Sequence, residues 1–430
     1  MRCGLLPGQR GPPSPTTFSP SSHAAPRGSP GPSGIWLRSS IVLPARNELD
    51  DPAFRTALAT ALGVTRVARV TGLDRTGVEV ACAVRPGGHV LQVCNGKGVT
   101  FEDAARGALL ETAELWAAET VRPERLRWGT RAELERTGDP VWGVESLGSA
   151  GQVAVPRLAG PDVRLAWCEA KDLRGGPSIW VPAQGVYCPP SGTVELGPVS
   201  VGWTTNGSGA HPDEESALLH ALLEATERDQ LARALPEGWT EAGVVKRMVR
   251  PDSLRDGAPR TAALWASLNA RGFRAYLFDV TPASRAKGTV GLPVAAAVLV
   301  DAEEGPVPLT AGYACALERD EALLKALLEA AQSRLTDIHG AREDVAAADR
   351  DAALGFAQAL AEVRPRHRAE DLPDVDTRRT RTMTGRVRTV LESLERAGFT
   401  RVAALELDAP LRGLHVWKVV VPGMRVSELL

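Results

Sequence analysis

The sequence predicts a mixed fold of the α+β class, and three observations support this prediction. Short runs rich in valine and bounded by glycine or proline are typical of strands. Longer runs of alanine, leucine and charged residues are typical of helices. One pattern that leads from a strand into a helix recurs three times along the chain. With 430 residues, 43% of them hydrophobic, the chain can bury a large core.

Predicted strands and helices follow one another from residue 52 onward. We predict helices at residues 52–62, 101–120, 213–235, 319–338, 342–363 and 386–397. We predict strands at residues 64–70, 78–84, 89–93, 163–168, 179–182, 199–203, 273–280, 292–300, 307–313, 401–405 and 416–421. Residues 364–381 contain two prolines and many arginines, which predicts a surface connection before the last helix.

The N-terminal 45 residues differ from the rest of the chain. Residues 1–45 are rich in proline, glycine and serine and lack the continuous apolar segment of a signal peptide, so we predict that they are disordered. We predict one folded domain over residues 46–430, with its core motifs in 63–345 and an α/β extension in 346–430.

Composition excludes several classes of protein. The net charge of −2 and the lack of aromatics among the arginines of 364–381 argue against a nucleic-acid partner. The longest apolar stretch, near 292–300, is too short to span a membrane. Six scattered cysteines without a CxxC pair indicate a reduced compartment, so we predict a cytoplasmic protein.

The three copies of the repeat share a run of Ala-Leu-Leu-Glu, two small residues, and an acid or amide. The copies lie at residues 108–114, 221–227 and 326–332. An alanine stands seven residues before the first glutamate of each copy, at Ala104, Ala217 and Ala322. A segment with glycine precedes each helix: NGKG at 95–98, NGSG at 206–209 and GYA at 312–314. We infer a strand–loop–helix unit that occurs three times.

The repeated glutamates predict a magnesium site. Residues three apart lie on one face of a helix, which pairs Glu111 with Glu114, Glu224 with Glu227, and Glu329 with Gln332. Neighbouring carboxylates repel one another unless a cation lies between them. Mg²⁺ takes oxygen ligands and needs one or two carboxylates. The alternative is a set of solvent-facing glutamates, which the matched alanines and glycines of three copies disfavour.

Other motifs favour phosphate chemistry without a covalent enzyme intermediate. Glycine in the two NGxG segments would let backbone N–H groups approach a phosphate, and Lys97 would add a positive charge. Neither segment is a Walker A motif, and a turn at the end of a strand is the alternative. His211 and His220 are candidate bases, although structural histidines are more common. The chain has no GxSxG, HExxH or Cys/His signature.

Several motifs resemble the YcaO family of ATP-dependent enzymes that modify peptide backbones. They are TRVARVTGLDRTGVEV at 65–80, NGKG with ALLETAE, NGSG with ALLEATERD, and EAAQSRL with GAREDV. The resemblance implies a YcaO-like catalytic domain with largely antiparallel sheets and glutamate-bearing helices around a nucleotide site. It also implies Mg²⁺ and ATP, which phosphorylates a backbone amide oxygen after a nucleophile has added, leaving an azoline or a thioamide.

The resemblance assigns roles to individual residues. The implied metal ligands are Glu111, Glu114, Glu224 and Glu227. The implied catalytic residues are Glu111, Glu227, Gln332 and Arg334. The implied nucleotide-binding residues are Lys97, Asn206, Glu215, Arg228, Glu329 and Arg342. The chain departs from the family pattern at Gly107, where serine is usual, at residues 209–212, and at Ser216, where glutamate is often found.

The C-terminal sequence indicates which subgroup of the YcaO family the chain resembles. The chain ends in VVVPGMRVSELL, without a PxPxP terminus, and together with TGLDRTG this resembles members that work with a TfuA-type partner and form a thioamide. The implied partners are a ribosomally made peptide or protein substrate and a TfuA-like or separate leader-binding protein. A homodimer is also compatible with the sequence. Two alternatives stay open: a non-catalytic nucleotide-binding scaffold in a peptide-modification complex, and ATP-dependent ligation of small acids.

Overall fold

In the computed structural model, residues 49, 51–148, 151–153, 155, 158, 160–342 and 350–426 are described. The helices are α1 Pro52–Leu62, α2 Phe101–Glu119, α3 Arg131–Glu135, α4 Glu214–Ala234, α5 Glu241–Arg247, α6 Leu254–Gly257, α7 Pro259–Ala270, α8 Arg319–His339, α9 Arg350–Glu362 and α10 Met383–Arg396. The strands are β1 Arg66–Arg69, β2 Glu79–Val84, β3 Val93–Gly98, β4 Arg127–Gly129, β5 Gly151–Val153, β6 Leu165–Asp172, β7 Ile179–Pro182, β8 Val201–Trp203, β9 Ser208–His211, β10 Phe273–Asp279, β11 Val294–Asp301, β12 Leu309–Cys315, β13 Ala403–Leu407 and β14 His415–Val420.

The described strands form antiparallel sheets. The first sheet has the order β1-β2-β3, the second the order β4-β6-β13-β14-β9 with β7 also paired to β6, and the third the order β10-β11-β12. Strands β5 and β8 form a separate pair. The α+β class and the largely antiparallel sheets predicted from the sequence are therefore confirmed. No helix among the described residues is both long and apolar enough to cross a bilayer.

The sequence repeat corresponds to three strand–helix units: β3 with α2, β9 with α4, and β12 with α8. In each unit the strand lies at the edge of a different sheet, and its own helix packs on it. Each edge strand also contacts the helix of a neighbouring unit: α2 touches β9, α4 touches β12, and α8 touches β3. The three units therefore form a closed ring in which every helix bridges two edge strands.

Glycines allow the strands to lie directly against their helices. A Cβ atom added at Gly96 would overlap the backbone oxygen of Ala104, and one added at Gly209 would overlap the backbone oxygen of Ala217. A Cβ at Gly312 would likewise meet the backbone of α8. Close strand–helix packing thus explains the three glycines and the repeated alanines of the first two copies, Ala104 and Ala217. In the third copy Gly312 faces Ala326 and Ala330 instead of Ala322.

The NGxG segments differ from the predicted loops. Residues 95–98 lie within β3, and in the second copy only Asn206 and Gly207 form a turn before β9 begins. The strand predicted at 89–93 is also wrong. The backbone N–H groups of His89 and Val90 donate to the carboxylate of Glu119 at 3.0 and 2.9 Å instead of joining a strand ladder. That carboxylate is also paired with buried Arg85.

Other differences concern elements that were not predicted and residues outside the described ranges. Elements α3, α5, α6, α7, β4, β5 and β9 were not predicted from the sequence. The helix predicted at 342–363 is observed from Arg350 onward, and residues 343–349 lie outside the described residues. The prediction of disorder for residues 1–45 also lies outside the described residues.

Candidate active site

Glutamates from the repeated helices bind the free edges of the repeated strands. Glu114 on α2 accepts the backbone N–H of Ala210 in β9 at 3.0 Å. Glu227 on α4 accepts the backbone N–H of Cys315 in β12 at 3.0 Å. In both cases a carboxylate of one unit satisfies a donor at the edge strand of the next unit. These bonds fix the two side chains toward the centre of the ring.

The remaining members of the three pairs complete this arrangement. Glu329 accepts the backbone N–H of Tyr313 at 3.3 Å, and Glu111 accepts the backbone N–H of Asn95. Gln332 instead donates its Nε2 to the carbonyl oxygen of Asn95 at 3.2 Å. The third unit therefore closes the ring with an amide, whereas the first two use carboxylates.

Cationic side chains lie among these carboxylates. Lys97 Nζ lies 2.6 Å from Glu329 Oε2, and both side chains are 27% exposed. Arg228 has one guanidinium nitrogen 3.7 Å from Glu224 Oε1 and another 3.7 Å from Glu227 Oε1. The charge of Arg342 acts on Glu111. The site therefore combines a set of carboxylates with cations suited to phosphate oxygens.

Burial and mutual repulsion raise the pKa values of four glutamates on α2 and α4. Burial raises the pKa of Glu224 to about 7, and the neighbouring Glu227 adds to this effect. Burial, together with Glu224 and Glu111, raises the pKa of Glu114 well above its usual value. Burial also raises the pKa values of Glu111 and Glu227. A cation bound among these buried carboxylates would favour their ionised forms.

Glu329 behaves differently from the other carboxylates. Burial opposes its ionisation, but the charges of Lys97 and Arg228 outweigh this effect and hold the pKa of Glu329 below its usual value. Its ion pair with Lys97 already provides the compensating charge. Among the described residues, Glu111, Glu114, Glu224 and Glu227 lack such a close ion pair with a lysine, and their role as metal ligands stays a prediction from the sequence.

The donor set fits Mg²⁺ bound together with phosphate. No group of three or more His, Cys, Asp or Glu side chains forms a ready-made metal cage in the described part of the chain. Mg²⁺ does not require such a cage, because it binds through one or two carboxylates and completes its octahedron with water and phosphate oxygens. Arg228 Nε is buried and has no hydrogen-bond partner among the described residues, which fits a guanidinium that receives an anionic ligand.

Arg334 does not lie at this site, which corrects its assignment as a catalytic residue. Its Nε lies 2.8 Å from Asp74 Oδ2 and its NH2 lies 2.8 Å from Asp301 Oδ2, while NH1 donates to the carbonyl oxygen of Val307. Arg334 is 2% exposed. It follows Gln332 by two residues and so points about 200° away around the helix. The guanidinium is therefore committed to a buried ion-pair network.

Glu215 is also distant from the glutamates. It lies nine residues before Glu224 on α4, which corresponds to about 13 Å along the helix, and it accepts a hydrogen bond from Thr384 Oγ1 at 3.1 Å. His211 uses its Nδ1 to accept the backbone N–H of Asp213 at 2.9 Å, which stabilises the start of α4. His220 lies on the same face as Glu224, one turn earlier, and is exposed.

Lys418 is a site residue that the sequence analysis did not identify. It lies in β14 and is 0% exposed, and its Nζ donates to the carbonyl oxygens of Thr204 at 2.6 Å and Asn206 at 2.9 Å. Burial lowers the pKa of Lys418 to about 7, while Glu224 and Glu114 act in the opposite direction. In the sequence, Lys418 is the one charged residue in the otherwise apolar run VWKVVV, and this pattern could have indicated a buried charge.

Comparisons with known proteins agree with this geometry. A protein of Methanothermobacter thermautotrophicus is 30% identical over 384 residues, which cover 86% of this chain and 91% of that protein. A protein encoded in the tfuA 3′ region of Rhizobium leguminosarum bv. trifolii is 28% identical over 385 residues, covering 85% of this chain and 84% of that protein.

Solved structures show the same fold. The structure of YcaO from Methanopyrus kandleri bound with AMPPCP and Mg²⁺ has a TM-score of 0.62 at 22% identity and covers 89% of this chain and 93% of that one. A heterocyclase in complex with substrate and cofactor has a TM-score of 0.64 at 20% identity and covers 86% of this chain. The present chain spans only 52% of that heterocyclase chain.

The profile of the family described as YcaO cyclodehydratase, ATP- and Mg²⁺-binding, matches residues 95–425, which include all three repeated units. The resemblance noted in the sequence and the expected use of ATP and Mg²⁺ are thereby confirmed. The chain belongs to the YcaO cyclodehydratase family.

Proposed function

We propose that this protein uses ATP to phosphorylate the oxygen of a peptide backbone amide after a nucleophile has added to the amide carbon. The C–O bond then breaks, phosphate leaves, and a thioamide or an azoline remains. The observation that supports this function best is the ring of carboxylates held by edge-strand N–H groups and flanked by Lys97 and Arg228. The complete set of glutamates favours a catalytic protein over a nucleotide-binding scaffold.

The residues of the chain would contribute mainly position and charge. When bound, Mg²⁺ would neutralise charge on the phosphates during transfer. Its one or two carboxylate ligands would come from among Glu111, Glu114, Glu224 and Glu227. Arg228 would contact phosphate oxygens from its place beside Glu224 and Glu227. Because the edge strands fix the carboxylates before the ligand arrives, little reorganisation is needed at the moment of reaction.

Within this reaction class we propose the thioamide as the product and a TfuA-like protein as a partner. The relative encoded in the tfuA 3′ region supports the proposal, because it matches this chain along most of both lengths. The proposed substrate is a ribosomally made peptide or protein, and the proposed compartment is the cytoplasm. Formation of an azoline by a related route is the competing outcome, which mass spectrometry of the product distinguishes.

Two glutamate variants test the proposed function. Glu111→Gln and Glu227→Gln each remove one negative charge from the site and preserve the side-chain shape. We expect both to lose phosphate release that depends on the cognate peptide. Because the carboxylates repel one another in the ligand-free protein, we expect their unfolding midpoints without ligand to be unchanged or higher. Glu102→Gln, an exposed glutamate on α2, is the matched control.

Thermal unfolding with Mg²⁺ and AMPPCP provides the second measurement. The analogue should raise the midpoint of the parent protein and of Glu102→Gln, and raise the midpoints of the two site variants much less. Full peptide-dependent phosphate release by both Glu111→Gln and Glu227→Gln would contradict the proposal. Phosphate release without any change in peptide mass would indicate simple ATP hydrolysis instead.

A further inference from the structure

The β10 cleft lies along the outer edge of β10, on the opposite edge of its sheet from the candidate active site. The sheet has the order β10-β11-β12, and the N–H groups that Glu227 and Glu329 bind belong to β12. The cleft consists of a cavity of about 320 Å³ and a second of about 610 Å³. Segments 245–249 and 363–366 contribute to the lining of both cavities, so the two lie side by side.

The first cavity is mostly apolar and reaches both faces of the sheet. Met248 and Leu360 belong to the hydrophobic cluster on one face, and Leu277 belongs to the cluster on the other. Trp265 also lines the cavity, and its ring is held in place because Nε1 donates to the carbonyl oxygen of Ala275 at 2.8 Å. Pockets lined by apolar and aromatic side chains bind apolar groups. The cavity therefore offers room for one large apolar side chain.

The backbone along this edge of β10 offers hydrogen-bond donors. The outward carbonyl oxygens are already bound, that of Ala275 by Trp265 and that of Leu277 by the backbone N–H of Val249 at 2.8 Å. The N–H groups of Ala275 and Leu277 point outward as well, because both groups of a residue in an antiparallel strand face the same side. Neither N–H has an acceptor among the described residues. A ligand at this edge must therefore supply acceptors, such as the carbonyl groups of an extended chain.

Cationic side chains without a counter-ion surround the β10 cleft. Arg274 lines the first cavity, and Lys246 and Arg366 line the second. Arg364 lies in the segment that contributes to both. All four side chains are exposed, and none forms an ion pair within the part of the chain that the structure describes. Glu241 is the one acidic residue in the described lining. In a chain with a net charge of −2, this local excess of cations favours a negatively charged ligand.

We propose that the β10 cleft binds an extended, acidic segment of the peptide substrate and takes one large apolar side chain into its first cavity. The proposal rests on the proposed function, because it assumes a peptide substrate. Peptide carbonyl groups match the edge donors, and carboxylates match the cations. The spacing of strands places β12 about 10 Å from β10. The bound segment would therefore be separated from the modified amide by at least about three extended residues, and its binding would hold the amide at the site without contact with the reacting atoms.

Fluorescence anisotropy in EDTA, without nucleotide, tests the charge of the ligand. The probes are short labelled peptides in which glutamates alternate with leucine or tryptophan. We expect the full chain to bind them at least about tenfold more tightly than peptides with lysine in place of glutamate, and more weakly as salt rises. Combining Lys246→Glu with Arg366→Glu should weaken binding by at least about tenfold. Arg388→Glu, an exposed change on α10 away from the lining, is the matched control and should bind like the parent protein.

A second pair of variants tests the apolar cavity. Ala361 lines the first cavity and is exposed, so Ala361→Trp should fill the cavity and weaken binding of the acidic probes by at least about tenfold. Ala359→Trp is the matched control, because Ala359 is exposed on the same helix and does not line the cavity. Should Ala361→Trp fail to fold, the exposed charge variants still test the cleft.

Several results would overturn the proposal. These are no binding of any acidic probe, equal binding of the lysine peptides, or unchanged affinity in the charge-reversed double variant. Displacement of the probe by decanoate that binds as tightly would instead indicate a site for a small apolar carboxylate. Binding of a single-stranded oligonucleotide that is as tight and equally sensitive to the double variant would indicate a nucleic-acid surface. Each of these results rejects a peptide segment as the ligand.

The outcome can be separated from that of the proposed function, because the binding assay contains neither Mg²⁺ nor nucleotide. Specific binding of the acidic probes by a protein that releases no phosphate would retain the β10 cleft as a peptide site and reject amide activation. Peptide-dependent phosphate release by a protein that binds no acidic probe would retain amide activation and reject the cleft.

Discussion

Replacing Arg334 by methionine should destabilise the fold and leave nucleotide binding nearly unchanged. The guanidinium bridges Asp74 and Asp301, and its side chain is 3% exposed in both ion pairs. Removing one partner of a buried ion pair typically costs about 3–5 kcal/mol, because the other charge stays buried without compensation. Asp301 keeps a second partner, Arg75, so we expect a loss near the lower end of this range.

Urea unfolding and a titration with Mg²⁺ and AMPPCP measure the two effects separately. Arg334→Met should lower the free energy of unfolding by about 3 kcal/mol, while the affinity of the folded protein for the analogue stays within about threefold of the parent value, a shift of roughly 0.6 kcal/mol. Adding Asp74→Asn should recover part of the stability, since it removes the carboxylate left unpaired. A variant of normal stability that no longer binds the analogue would refute this reasoning and restore Arg334 to the nucleotide site.

Two further predictions concern the site and the packing beneath it. Because burial raises the pKa of Glu224 to about 7, Mg²⁺ must displace a proton below that pH. The affinity for Mg²⁺ and AMPPCP should then fall by up to about tenfold per pH unit below 7 and level off above it. Calorimetry between pH 6 and 8 measures this, and a flat profile would show that Glu224 is already ionised. In Gly96→Ala, the new Cβ would overlap the backbone of α2, so we expect a loss of about 1–3 kcal/mol or more in urea unfolding. Gly107→Ala is the matched control, since its Cβ would lie at an ordinary contact distance of 3.5 Å from Gly96 Cα. If both variants lost the same free energy of unfolding, close packing would not explain why residue 96 is a glycine.

Local signals in the sequence defined many elements well. Helix α1 is observed at its predicted bounds because Asp51 caps its first turn, Pro52 begins it and Gly63 ends it in the left-handed conformation. Such signals depend on neighbouring residues alone. The strand predicted at 89–93 failed because the partner of that backbone is the carboxylate of Glu119, about thirty residues away, and no local pattern reveals such a contact.

The candidate site was predictable to the extent that it repeats. Three copies of one helix pattern identified the glutamates, and their spacing placed each pair on one face. Lys418 has no counterpart in the repeat, and its position depends on a sheet that brings β14 beside β9. Arg334 was misassigned because closeness in sequence to Gln332 does not imply a shared helix face. Side chains outside the repeated pattern therefore required the tertiary structure.

The ring also explains why a repeated unit produces an asymmetric site. Glu114 and Glu227 each meet a backbone N–H of the next edge strand, and a carboxylate is the matching acceptor. Gln332 occupies the equivalent place in the third unit but meets the carbonyl oxygen of Asn95, whose N–H is already bound by Glu111. A glutamate there would set an ionised oxygen against a carbonyl oxygen, whereas the amide can donate. Closing the ring therefore requires one side chain that donates, which concentrates the carboxylates proposed as Mg²⁺ ligands on α2 and α4.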